Sequence, residues 1–156
     1  LLDNAIYGLT KGQTSPTSPI GMVSGTSPYG NLAQPLNPLT MALTYGATFV
    51  ARVFSQDRDN VTDLITQAIA HKGFSFIHVL SPCIEFHKTV TYESWESDIA
   101  YLPKTYTADN RVEALGMSES KEPIYTGLFL RELAQSYKER VNELQERLRK
   151  EAVEVN

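Results

Sequence analysis

The chain has 156 residues, a formal net charge of −4 and 42% hydrophobic residues, enough apolar material for one core and no sign of a second one. Mild acidity with mixed charges argues against nucleic acid as a main partner, and no apolar run approaches the roughly 20 residues a membrane span requires. A single cysteine excludes an internal disulfide framework, and the expected compartment is the cytoplasm.

Leu1-Leu2 reads as the tail of a buried strand. With no initiator methionine or signal peptide in view, the chain is expected to begin inside a longer protein. The strand ends at Asn4 within Asp3-Asn4-Ala5-Ile6-Tyr7-Gly8-Leu9-Thr10-Lys11-Gly12-Gln13. A neutral oxygen donor at Asn4, followed by two freely bending positions at Gly8 and Gly12, suits the carboxyl edge of a sheet, where diphosphates and their metals bind. The segment reads as half of a split cofactor site. From Thr14 to Pro38 the composition shifts to Ser, Thr, Pro and Gly, and prolines at 16, 19, 28, 35 and 38 block helix. A long functional loop is expected there, with a flexible surface segment as the alternative.

Asn37-Pro38 supplies an N-cap and a proline at the first helical position, so a short helix through Leu39 to Tyr45 should stop at Gly46. Thr48 to Phe54 is rich in β-branched and aromatic residues and reads as a buried strand. A second helix starts at Asp59 or Asn60, carries Val61, Leu64, Ile65, Ala68 and Ile69 at helical spacing, and ends at His71-Lys72-Gly73. Phe74 to Leu80 is another apolar strand. Strand, helix, strand implies a parallel crossover in an open, mostly parallel α/β sheet with flanking helices.

Past Pro82 the pattern weakens, with a short helix expected from Glu93 to Tyr101, another from Asp109 to Met117, and a last strand from Ile124 to Leu130. From Arg131, Leu133, Tyr137, Val141, Leu144 and Leu148 step by three or four residues. Glu143 with Arg147 and Glu146 with Lys150 form favourable i,i+4 pairs. This predicts a C-terminal amphipathic helix over 131–156, set apart from a domain over 1–130. Its apolar stripe is expected to pack on the chain's own domain, a partner chain being the alternative. His71, His78 and His87 are too scattered to form a metal constellation and read as a cap, a strand residue and a surface group. No glycine-flanked nucleophilic serine and no Gly-rich phosphate loop opens a helix, which removes the common hydrolase and nucleotide-kinase readings.

The opening motif, with Ser15-Pro16-Thr17-Ser18, Thr26-Ser27-Pro28-Tyr29-Gly30, Asn37-Pro38 and Phe74-Ser75-Phe76-Ile77-His78-Val79-Leu80-Ser81-Pro82-Cys83, resembles the beta chain of the 2-oxoacid:ferredoxin oxidoreductases, especially the 2-oxoglutarate enzymes. The resemblance fades towards the C-terminal helix. It implies part of a thiamine diphosphate-binding fold, with thiamine diphosphate, magnesium and a 4Fe-4S cluster as cofactors. Asn4 matches the Asn whose side-chain oxygen ligates magnesium, Ile6 the residue whose backbone carbonyl does so, and Gly8 lies in the same cofactor-binding loop. Lys11 stands where many pyruvate-using relatives carry a small residue, which implies, with Leu9, a contact to the distal carboxylate of 2-oxoglutarate. Cys83 matches the last cluster-ligating cysteine.

The implied reaction is coenzyme A-dependent oxidative decarboxylation of a 2-oxoacid to acyl-CoA and carbon dioxide, with electrons passed to ferredoxin; the reverse carboxylation is equally implied. The implied partners are an alpha subunit and ferredoxin. The family's Gly-Asp-Gly motif and its other cluster cysteines are not among these residues. They are expected upstream, and the chain alone is expected to be inactive. Taken singly, the residues leave other readings open: an Asx turn at Asn4, a solvated or diphosphate-pairing Lys11, a buried apolar Cys83. For the whole protein the alternatives are a non-oxidative thiamine diphosphate-dependent decarboxylase or synthase, and a non-catalytic α/β scaffold subunit.

Overall fold

The computed structural model describes residues 1–87 and 90–154. Its strands are β1 (Leu2–Asp3), β2 (Phe49–Phe54), β3 (Ser75–Leu80), β4 (Ile99–Tyr101) and β5 (Ile124–Arg131). Its helices are α1 (Pro38–Thr44), α2 (Arg58–Ala70), α3 (Tyr92–Asp98), α4 (Arg111–Ser118) and α5 (Tyr137–Glu154). The strands form one sheet in the order β1-β3-β2-β5-β4. β1, β3 and β2 run parallel, as the crossover through α2 requires, and β5 is antiparallel to β2.

All six residues of β2 are buried because helices cover both faces of the sheet. Alternate side chains point to opposite faces. Phe49, Ala51 and Val53 meet Leu64 of α2 on one side, while Val50 meets Leu39 and Leu43 of α1, Ala114 of α4, and Phe129 and Leu130 on the other. Fully burying a side chain such as Phe129 contributes about 1.5–3 kcal/mol. Arg111 fastens this second layer: its guanidinium donates to the carbonyls of Leu43 and Ala47 and pairs with Glu132.

The helix starts follow local capping chemistry. Asn37 Oδ1 accepts from the Leu39 and Thr40 amides at 3.1 and 3.3 Å, with Pro38 opening α1. In α2 the cap is Asp57 and the helix opens at Arg58, one residue before Asp59, the Asp57 carboxylate accepting from the Asn60 amide at 3.2 Å. The turn after α2 requires glycine, since Gly73 has φ +134 and a Cβ there would lie 2.2 Å from Thr48 Oγ1.

Several expectations are corrected: Leu1 and Leu2 are exposed, not buried, and His87 is buried, not a surface group. The helix predicted from Glu93 to Tyr101 ends at Asp98, and Ile99–Tyr101 becomes β4, parallel to β5. Trp95 anchors the helical part against Phe54 and Leu80, and beyond it the strand formers Ile99 and Tyr101 complete a sheet edge. The C-terminal helix begins at Tyr137, not Arg131. Backbone bonds from Arg131 N to Ala108 O (2.6 Å) and Glu132 N to Thr48 O (2.8 Å) keep the chain extended. A capping box then starts α5: Ser136 Oγ accepts from Glu139 N at 3.2 Å and Glu139 Oε2 from Ser136 N at 2.8 Å.

Finally, most of the apolar stripe is left uncovered, with only Val141 half-buried. Leu133 lies before the helix and is fully exposed, and Tyr137, Leu144 and Leu148 are exposed too. The first turn of α5 is tied to the body by Lys72–Glu139 at 3.1 Å, and further along it Arg147 pairs with Glu151 at 3.7 Å. Among the described residues no helix is long and apolar enough to cross a membrane.

Candidate cofactor and metal site

Because β1, β3 and β2 are parallel and in register, with Asp3 beside Leu80 and Leu80 beside Phe54, the loops that follow them leave from one edge. That carboxyl edge of a parallel sheet is where ligands bind in open α/β folds. Ser81 N donates to Asp3 O at 2.8 Å, which brings the segment Ser81-Pro82-Cys83 alongside Asn4. A Cβ built on Gly8 would lie 3.4 Å from Cys83 Sγ and 3.9 Å from Asn4 Nδ2. Three residues singled out in the sequence, Asn4, Gly8 and Cys83, therefore meet.

The loop is closed by its own backbone. Tyr7 N donates to Gln13 O (2.8 Å), Gly12 N to Tyr7 O (3.0 Å) and Lys11 N to Gly8 O (3.0 Å). Gly12 takes a positive φ of 101°, as expected of a turn glycine, whereas Gly8 does not; the positive φ values fall instead on Ala5 (57°) and Lys11 (64°). Gly8 thus serves close approach, not bending. The left-handed conformation costs a residue with a Cβ roughly 1–2 kcal/mol, and such strain persists where surrounding contacts over-determine it.

Asn4 Oδ1 accepts from the Ile6 amide at 3.1 Å, so the Asx turn weighed from sequence is present. It uses one lone pair of that oxygen and leaves the other. Among the described residues no hydrogen bond takes up the Ile6 carbonyl. Two neutral oxygen donors two residues apart suit magnesium, which prefers oxygen and shares its shell with phosphates. Beside them opens a cavity of about 550 Å³ lined by residues including Asn4, Ile6, Gly8, Leu9, Thr17 and Met41. Leu9 is fully exposed at its mouth. Lys11 is exposed at the loop tip and is not part of the lining. Cys83 is a partly exposed free thiol, fit to be one ligand of a cluster that normally takes four; among the described residues no group of three or more His, Cys, Asp or Glu could hold a metal by itself.

Beneath this loop lies a buried ionic chain that no motif in the sequence announces. His78 Nε2 lies 2.8 Å from Asp3 Oδ2, and Arg52 Nε donates to His78 Nδ1 at 3.3 Å. Arg52 also reaches the Tyr125 carbonyl at 3.4 Å and stands 5.7 Å from the Phe129 ring centre. Arg52 and His78 are 5% and 3% exposed. Arginine can only donate, so Nδ1 is the acceptor and Nε2 carries the proton towards Asp3. Burial, aided by the Arg52 charge, pulls the His78 pKa down against the opposing pull of Asp3, consistent with a neutral imidazole between two ions. Burial would raise the Asp3 carboxyl, but hydrogen bonds from His78, Thr17 and the Ala5 amide outweigh it and leave the pKa below its usual value. Burial brings the Arg52 guanidinium down to about 10. The available signal was an arginine and a histidine in otherwise apolar strands, because such groups are buried only when paired.

The family model described as "Thiamine pyrophosphate enzyme, C-terminal TPP binding domain" matches residues 1–79, and the model for the C-terminal part of the pyruvate ferredoxin oxidoreductase beta subunit matches residues 83–146. The 2-oxoglutarate oxidoreductase subunit KorB of Mycobacterium tuberculosis is 44% identical over 87 residues, 56% of this chain and 23% of that one. The 2-oxoglutarate synthase subunit KorB of Methanocaldococcus jannaschii is 32% identical over 151 residues, 96% of this chain and 56% of that one. A solved structure, the 2-oxoglutarate:ferredoxin oxidoreductase from Magnetococcus marinus with 2-oxoglutarate, coenzyme A and succinyl-CoA bound, superposes with a TM-score of 0.91 at 35% identity. It covers 94% of this chain and 51% of that one. The chain therefore spans only part of each relative, from 23% to 56% of its length. One model covers the chain as far as β3 and the other takes up after it, at residue 83, and the shared fold runs through nearly the whole chain; the chain belongs to the thiamine pyrophosphate enzymes, in the beta-subunit family of the 2-oxoacid:ferredoxin oxidoreductases.

Proposed function

We propose that this chain is the cofactor-holding portion of a beta subunit that, with an alpha subunit, converts a 2-oxoacid and coenzyme A to acyl-CoA and carbon dioxide and passes the electrons to ferredoxin. 2-Oxoglutarate is the favoured substrate. The observation that carries this reading is the meeting of Asn4, Gly8 and Cys83 at one sheet edge, beside a cavity of about 550 Å³ that Ile6 also lines. Asn4 Oδ1 and the Ile6 carbonyl would hold magnesium, and Cys83 would supply one thiolate to a 4Fe-4S cluster. When bound, thiamine diphosphate supplies the nucleophilic carbon and the electron sink.

The chain's own residues then bind, orient and exclude water. The Asx turn at Asn4 fixes where the Ile6 carbonyl lies, and the closed loop Tyr7 to Gln13 forms one wall of the pocket. Leu9 keeps its apolar side chain at the mouth, where a bound substrate would cover it. Lys11, held in its left-handed conformation by its bond to the Gly8 carbonyl, carries an ammonium that can pair with the distal carboxylate of 2-oxoglutarate.

The test uses the intact enzyme assembled with its alpha subunit, supplied with 2-oxoglutarate, coenzyme A and oxidised ferredoxin. Succinyl-CoA should appear in step with ferredoxin reduction, and both should stop when either coenzyme A or the acceptor is omitted. Carbon dioxide release with an aldehyde product and no need for either would instead establish a non-oxidative decarboxylase. In the same enzyme, Lys11→Ala should lower the ratio of kcat/KM for 2-oxoglutarate over pyruvate by about 10-fold or more, the value of one charge-assisted contact. An unchanged ratio would show that this ammonium does not select substrate.

A further inference from the structure

Ala5 is the strained residue between the two magnesium-ligand candidates, and side chains hold both of its backbone groups. Its amide donates to Asp3 Oδ1 at 2.9 Å, and its carbonyl accepts from Ser18 Oγ at 2.6 Å. Ser18 is fully buried and is fixed in turn, because Asn31 Nδ2 donates to its carbonyl at 2.9 Å. Asp3 Oδ1 also accepts from Thr17 Oγ1 at 2.6 Å, while Asp3 Oδ2 faces His78 and, through it, Arg52. One carboxylate thus ties the Ala5 turn to the Thr17-Ser18 loop on one side and to the middle of the sheet on the other.

Resting on the metal assignment above, we propose that Asp3 and Ser18 are positioning residues: they clamp Ala5 at positive φ so that the Asn4 side chain and the Ile6 carbonyl are presented together to magnesium. The chain His78–Arg52 anchors the clamp. Without it, the turn relaxes to a negative φ at Ala5 and the two oxygens no longer share one ligand. A residue that only supports the fold would lower stability and leave metal dependence alone, whereas a clamp changes metal dependence and becomes dispensable once positive φ carries no penalty.

The experiment measures thiamine diphosphate binding to the assembled, cofactor-stripped enzyme as magnesium is titrated, alongside its thermal unfolding. Ser18→Ala should raise the magnesium concentration for half-maximal binding by about 10-fold, the lower end for loss of a group that orients a metal ligand. Asp3→Asn, which keeps an oxygen for Thr17 and Ala5 but sets a donor against His78, should act in the same direction. Adding Ala5→Gly to Ser18→Ala should recover most of the loss. If Ser18→Ala fails to assemble, Thr17→Val, which removes the hydroxyl holding Asp3, tests the same clamp. Unchanged magnesium dependence in these variants while Asn4→Ala loses it overturns the clamp alone, as does a loss that Ala5→Gly does not recover. Unchanged dependence in Asn4→Ala overturns the metal assignment and the clamp with it.

Discussion

Asn4→Ala in the intact enzyme should lose magnesium-dependent binding of thiamine diphosphate by roughly 100-fold or more, at or above the range for an outer-shell partner of a metal ligand. Two losses combine. The substitution deletes an oxygen donor, which magnesium cannot replace from an alanine, and it removes the acceptor that holds the Ile6 amide at 3.1 Å, so the carbonyl expected to be the second donor is released as well. Asn4→Asp keeps the oxygen and the turn and should retain the metal dependence, which separates ligation from general disturbance of the loop. The measurement is cofactor binding followed by calorimetry across a magnesium series. Normal affinity in Asn4→Ala would strike this residue from the site.

The parts of the fold legible in the sequence are those fixed by local chemistry. Asn37-Pro38 starts α1 as a cap and an N1 proline must, and the apolar run in β2 is buried on both faces. The strand–helix–strand order gave the parallel pairing of β2 and β3. What the sequence concealed depends on partners distant in the chain. Ile99–Tyr101 is strand because β5 lies beside it, and Arg131 is extended because it pairs with Phe49 and gives its amide to Ala108. Ser136 and Glu139, by contrast, are a start signal present in the sequence, overridden there by the periodic leucines on either side.

The same division runs through the site. The motif around Asn4 is contiguous, so its loop could be read directly. The approach of Cys83 to Gly8 and the pairing of Asp3 with His78 join residues more than seventy positions apart, and no spacing rule reports them. Taken alone, His78 is an ordinary strand residue. In the sheet register it sits directly beside Arg52, and a pair of polar residues at the centre of a buried sheet demands a third group, which Asp3 supplies. Gly8 departs from its expected role: it keeps an ordinary φ and gives room to a thiol, while Ala5 and Lys11 take the positive φ.

Cys83→Ala in the intact enzyme should lose the 4Fe-4S cluster and, with it, ferredoxin reduction, while magnesium-dependent cofactor binding stays intact. The cluster holds its iron through thiolates, and a methyl group in place of Sγ leaves one iron without its protein ligand. The sulfur lies against Gly8 of the loop that lines the cavity, with 3.4 Å between Sγ and a Cβ placed there, so the thiolate proposed as a cluster ligand would adjoin the cavity proposed for the cofactor. Iron and acid-labile sulfide content, together with reduction of ferredoxin by 2-oxoglutarate, read the result. Cys83→Ser should fall between wild type and Cys83→Ala, since a hydroxyl is a harder and poorer ligand for iron–sulfur iron than a thiolate. If iron content and electron transfer in Cys83→Ala match the wild type, the thiol is packing only, and the site at this edge of the sheet belongs to thiamine chemistry without a redox step.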